Sequence, residues 1–141
     1  MVLPEIEIGV WLLPHRSYGY LIEIDAAGFE DEVPTGVVQS LESVPMRGLY
    51  PEFLPDFPHT DFKVEPEQMS RLVELTDQIT YSFREHPFTP MLGGAHFGLR
   101  IARGHQRASV VWLGRFEDQD EPIRALYSAV LELGKAACSE L

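Results

Sequence analysis

Hairpins that alternate with single helices predict an α+β fold, an antiparallel sheet of two hairpins with two helices packed on one face as a two-layer sandwich. Three observations carry that expectation. Apolar and polar residues alternate with period two in several short runs, apolar residues recur at helical spacing in two longer ones, and the order is strand, strand, loop, helix, strand, strand, helix. At 141 residues the chain is expected to be a single domain spanning 1–141, long enough to bury a sizeable core.

The first strand is read from Ile6, Ile8, Val10 and Leu12, which alternate with Glu5, Glu7, Gly9 and Trp11. Pro14-His15-Arg16-Ser17 breaks the run, and Tyr18 to Asp25 resumes it, so the pair reads as a hairpin. A shorter repeat follows at Val37–Leu41. Between about 44 and 66 the periodicity is lost. Pro45, Pro51, Pro55, Pro58 and Pro66 remove backbone donors and fix φ, so neither a helix nor a central strand is expected there. The segment still carries Leu49, Tyr50, Phe53, Leu54, Phe57 and Phe62, which makes it too apolar for a free tether. An ordered loop that packs some rings inward and offers others outward is the expectation.

A helix is predicted from Glu65-Pro66-Glu67, where proline and acids suit a first turn. Its stripe is Met69, Leu72, Val73, Thr76, Ile79 and Phe83, and Pro87 and Pro90 end it. Phe97, Leu99 and Ile101 alternate again, Arg103–Arg107 turns, and Ser109–Gly114 returns as a second hairpin. The last helix starts at Asp120-Glu121-Pro122 and shows Ile123, Leu126, Tyr127, Val130 and Leu131 as its stripe.

Charge is unevenly spread. Residues 1–67 hold thirteen acids against three bases, a net of −10, whereas residues 68–141 hold nine acids and eight bases, a net of −1. An acidic half of this kind disfavours nucleic acid and anionic membrane as partners and favours encounter with a basic protein surface. No apolar run approaches the roughly 20 residues of a bilayer span, and the first residues lack the pattern of a secretory signal. Cys138 stands alone, which excludes an internal disulfide and suits a reducing cytoplasm. A cytoplasmic location is expected.

Candidate chemistry is sparse. His59, Asp61 and His96 do not form a spaced zinc ligand set, and His15, His86 and His105 sit beside turns. No serine lies in a nucleophile-elbow context, and Gly93-Gly94 precedes a strand where a phosphate loop would lead into a helix. Neither a catalytic set nor a cofactor or metal is expected. Arg100, Arg103, Arg107 and Arg115 gather on the second hairpin and suit an anionic ligand, with His96 or His105 as an acid–base group. They suit equally well an intramolecular dock on the acidic half, or a solvated face.

The acidic-aromatic segments are the strongest lead. Glu30, Asp31 and Glu32 put three adjacent charges at a turn, and the proline-stiffened stretch from Tyr50 to Phe62 interleaves four aromatics with Glu52, Asp56 and Asp61. Buried aromatics concentrate interface energy, rim charges set encounter rate, and proline reduces the entropy lost on binding. The expected partner-binding set is therefore Glu30, Asp31 and Glu32 for steering, Phe53 and Phe57 as anchors, and Glu52, Asp56 and Asp61 as charge partners. The competing reading is a solvated acidic loop whose rings plug the sheet.

The strand Tyr20–Asp25, the acidic turn Glu30–Glu32, and Val110–Gly114 followed by a helix started at Pro122 resemble the immunity proteins of bacterial polymorphic toxin systems. The resemblance covers the architecture of most of the chain and carries no motif. It implies a non-enzymatic protein that binds a cognate toxin or effector and blocks its active site or substrate access. A small-ligand-binding or enzymatic domain built on the arginine hairpin is the alternative, and a protease inhibitor or adaptor with the same binding logic is a third.

Overall fold

The computed structural model describes residues 5–13, 19–26, 33–41, 50–79, 95–104, 106–139 and 141. Its elements are β1 (Ile6–Leu13), β2 (Tyr20–Ala26), β3 (Thr35–Ser40), β4 (Thr60–Lys63), α1 (Pro66–Ile79), β5 (Ala95–Arg103), β6 (Gln106–Gly114), a 3-10 turn at Phe116–Asp118 and α2 (Glu121–Ala137). The six strands form one sheet in the order β4-β3-β2-β1-β5-β6, every neighbouring pair antiparallel. The fold is thus α+β. The expected pairs β1–β2 and β5–β6 are present, joined edge to edge through β1 and β5 and extended by β3 and β4.

Register puts one apolar set on one face. Ile8 lies between Ile24 and Ile101, and Val10 between Ile22 and Leu99. These residues form a single buried cluster with Met69, Leu72, Leu75 and Ile79 of α1 and Ile123, Leu126, Tyr127 and Val130 of α2. The stripes expected from helical spacing are the faces buried, with Val73 and Leu131 packed at the margin. Phe83 lies outside the described residues.

The helix entries have local causes. At α1, Gln68 reaches back to accept the Glu65 backbone N–H at 2.9 Å while Pro66 opens the first turn, the reciprocal half of a capping box. Thr76, buried in α1, donates its hydroxyl to the Leu72 carbonyl at 2.8 Å. In α2, Gly134 permits close contact with the sheet, since an added Cβ would lie 2.4 Å from Ile22 Cδ1. Gly104 supplies the positive φ of +61° that the β5–β6 turn requires.

A buried hydroxyl chain ties the two ends of the sequence together. Tyr127 donates to the Trp11 carbonyl at 2.8 Å, so its single proton is committed, and its oxygen accepts from the Tyr20 hydroxyl at 2.9 Å. Burial, reinforced by Tyr20, pushes the Tyr127 phenol far above its ordinary range and keeps it neutral.

Candidate protein-binding face

The other face of the sheet is set by the alternate residues, and the register lays them out in three rows. The first runs Lys63, Thr35, Asp25, Glu7, Ala102, Arg107 from β4 to β6. The second runs Asp61, Val37, Glu23, Gly9, Arg100, Ser109. The third runs Gln39, Leu21, Trp11, Gly98, Val111. Charge therefore occupies one end of this face and apolar side chains the other.

The apolar end is covered. Trp11, read from its alternation as lying on the half-buried strand's polar side, is 0% exposed and forms a second cluster with Leu21 and Leu41. Leu13, Phe53, Leu54, Phe57 and Val111 pack against it. The Trp11 ring lies over Gly98, where an added Cβ would sit 1.8 Å from Cε2. Two-residue periodicity reports only the side of a side chain, and here a loop buries the side expected to meet water.

Residues 50–59 are that loop, and one side chain pins it. Gln39, 0% exposed, accepts from the Leu54 N–H at 3.0 Å and donates to the Leu54 carbonyl at 2.8 Å. The amide so replaces a strand neighbour for the loop, in the manner of a ladder pair. A turn closes with the Phe57 N–H on the Leu54 carbonyl at 3.1 Å. His59 donates Nδ1–H to the Phe57 carbonyl at 2.8 Å, which leaves Nε2 facing Asp61 at 3.7 Å, and its ring meets Phe53 edge-on at 4.9 Å. The segment is not irregular to its end, because Thr60–Lys63 pairs with β3 as the edge strand β4. Proline bars a central strand and leaves an edge open.

Each aromatic of this stretch has a different fate. Phe62 faces the helix-side core over Gly36, while Phe53 and Phe57 are half-buried on the second face. Tyr50 touches Trp11 edge-on at 6.0 Å yet remains 53% exposed. Both expectations are therefore present at once, rings that plug the sheet and a ring that faces out. Glu52 and Asp56 are exposed, and the Asp61 side chain is 79% exposed. Glu30, Asp31 and Glu32 lie outside the described residues, as does His105.

At the charged end, Arg100 lies over the Trp11 ring with its guanidinium carbon 5.4 Å from the centroid, and donates from Nη2 to Glu23 at 2.7 Å. Gly9 lies beneath it, where an added Cβ would meet Nη2 in ordinary van der Waals contact at 3.5 Å. Glu7 and Asp25 face each other directly across β1 and β2. Like charges so placed cost roughly 0.2–1 kcal/mol. Burial holds Glu23 above its usual carboxylate range despite Arg100, and Glu7 and Asp25 push it the same way. Between the sheet and the loop these side chains bound a trough of about 650 Å³, lined by Glu7, Gly9, Glu23, Asp25, Glu52, Phe53, Arg100, Ala102, Arg107 and Ser109.

The hairpin arginines divide between the faces, Arg100 and Arg107 bordering the trough while Arg103 turns away from it. Arg100 and Arg103 differ by three positions in one strand and so face opposite sides, Arg100 toward Glu23 and Arg103 toward Asp77 of α1. Arg107 and Arg115 are exposed. Among the described residues no three His, Cys, Asp or Glu side chains gather as a metal site, and no helix is long and apolar enough to cross a membrane. Glu7, Glu23 and Asp25 did not figure among the expected binding residues. Their signal was the β1–β2 alternation, which puts them on one face once the pairing register is known. Gln39 had no signal, being one of three polar residues in a short strand. No protein-family model and no curated protein sequence matches the chain.

Proposed function

We infer that the protein is a non-enzymatic inhibitor that binds and neutralises a basic partner, a cognate bacterial toxin or effector, acting in the cytoplasm as immunity proteins do. The observation that carries this reading is the loop 50–59, held on the sheet by Gln39 and by the Trp11 cluster while Tyr50, Glu52, Asp56 and Asp61 remain open to solvent. A loop ordered before binding loses little entropy when it is gripped, and its aromatic-acidic surface suits a cationic protein. Glu30, Asp31 and Glu32 add steering charge, and Phe53 and Phe57 shape and support the contact surface. The resemblance of the sequence to immunity proteins supplies the class of partner.

Paired kinetic measurements with the captured partner test the reading. Asp56→Lys with Asp61→Lys slows association and flattens its dependence on ionic strength, whereas Phe57→Ala chiefly speeds dissociation. Association rates that are equal for the wild-type and charge-reversed proteins contradict it.

A further inference from the structure

We propose that the trough between the open sheet face and the loop receives an arginine- or lysine-bearing segment of the partner protein, its cationic head seated among Glu7, Asp25 and Glu52. This rests on the reading of the partner as a basic protein and assigns it a seat that the loop residues alone do not provide.

The sign of the occupant follows from how the lining charges are already used. Four carboxylates and two guanidiniums border the space. Arg100 is committed to Glu23 at 2.7 Å, so it does not answer Glu7 or Asp25. Those two stand directly opposite on adjacent strands, and among the described residues neither forms an ion pair. Arg107 lies beyond Ala102 in the same row and is exposed. An anion entering the trough meets three uncommitted carboxylates, whereas a cation relieves a repulsion that the fold retains. The raised Glu23 carboxyl, pushed up in part by Glu7 and Asp25, reports the same local excess of negative charge.

Shape agrees with charge. Gly9 and Ala102 keep the floor low, Phe53 and Glu52 of the loop close one end, and the volume of about 650 Å³ holds more than one side chain. The Arg100 guanidinium already borders this space, its carbon 5.4 Å from the Trp11 ring centroid, so the surface accepts the group chemically.

The test uses the full chain and the peptide acetyl-Gly-Arg-Gly-Arg-Gly-amide, followed by backbone amide shifts. The expected result is saturable movement of Gly9, Ala102 and Ser109 resonances. Glu7→Gln with Asp25→Asn weakens that binding roughly tenfold, about 0.7 kcal/mol for each of two exposed charge pairs. The double variant relieves a like-charge contact, so its thermal midpoint does not fall and lost binding is not lost folding. Glu117→Gln with Asp118→Asn, in the exposed 3-10 turn, changes net charge equally and leaves peptide binding intact. Equal weakening by both double variants, or shifts confined to other surfaces, overturns the proposal. A basic protein captured equally well by the Glu7/Asp25 variant removes the trough from the interface and leaves the inhibitor reading standing. Peptide binding in the trough with no basic protein partner keeps the trough and removes the inhibitor reading.

Discussion

Replacing Gln39 with leucine removes the side chain that ties the loop to the sheet while keeping the volume of the site nearly constant. Two hydrogen bonds to Leu54 are lost, at 2.8 and 3.0 Å. At about 1 kcal/mol net for each, and more where the loop groups stay shielded from water, the expected loss is about 2–3 kcal/mol. For a chain of this size that corresponds to a fall of about 10 °C in Tm. Because the loop covers Trp11, the folded variant should also show red-shifted tryptophan emission, a change a purely local loss of hydrogen bonds would not cause. Calorimetry with intrinsic fluorescence reads both. Gln39→Glu adds a pH signature. The introduced carboxyl is buried and donates to the Leu54 carbonyl only when protonated, so its folded pKa rises above the unfolded value of about 4.3. The folded state then binds the extra proton, and this variant loses stability as pH rises from about 4.3 through that raised value. A Gln39→Leu protein with unchanged Tm and emission would refute the assignment of Gln39 as the anchor.

Gly98→Ala places a methyl group inside the Trp11 ring, which has no room to move at 0% exposure, and should cost about 3 kcal/mol or more in denaturant unfolding. Tyr127→Phe deletes the hydroxyl that joins the Trp11 carbonyl to Tyr20, and a loss of about 2 kcal/mol is expected by the same measurement. Carboxyl NMR should show Glu23 titrating above 4.5, moving further up in Arg100→Met and down in Glu7→Gln, since Arg100 lowers and Glu7 raises it. Its raised pKa means that Glu23 contributes to stability most fully below 4.5 and that the contribution is lost as pH rises through the folded value.

The helices and the central strands were legible because each carries an unbroken apolar period. Met69, Leu72, Thr76 and Ile79 declare one face, as do Ile6, Ile8 and Val10. The edge strand β4 was hidden because four residues, Thr60–Lys63, are too few for alternation to rise above the prolines around them. The burial of Trp11 was hidden for another reason. Its cover comes from Leu54 and Phe57, about forty residues away, and is held by a polar side chain that no local pattern distinguishes. The candidate site was legible in composition, as acids interleaved with rings, but its geometry was not. Whether a ring plugs or protrudes depends on which strand it meets, and Glu7 meets Asp25 only through the β1–β2 register. The arginine hairpin divides for the same physical reason: residues three apart in a strand point to opposite sides, so Arg103 leaves the face that Arg100 and Arg107 share.

Comparative affinity capture from the native host, with the wild-type chain beside Asp56→Lys/Asp61→Lys and the partners identified by mass spectrometry, tests the central claim most directly. A basic protein retained by the wild type and lost with the charge-reversed variant is the outcome expected if this carboxylate-bearing face is the grip. The same proteins recovered with both baits would contradict it.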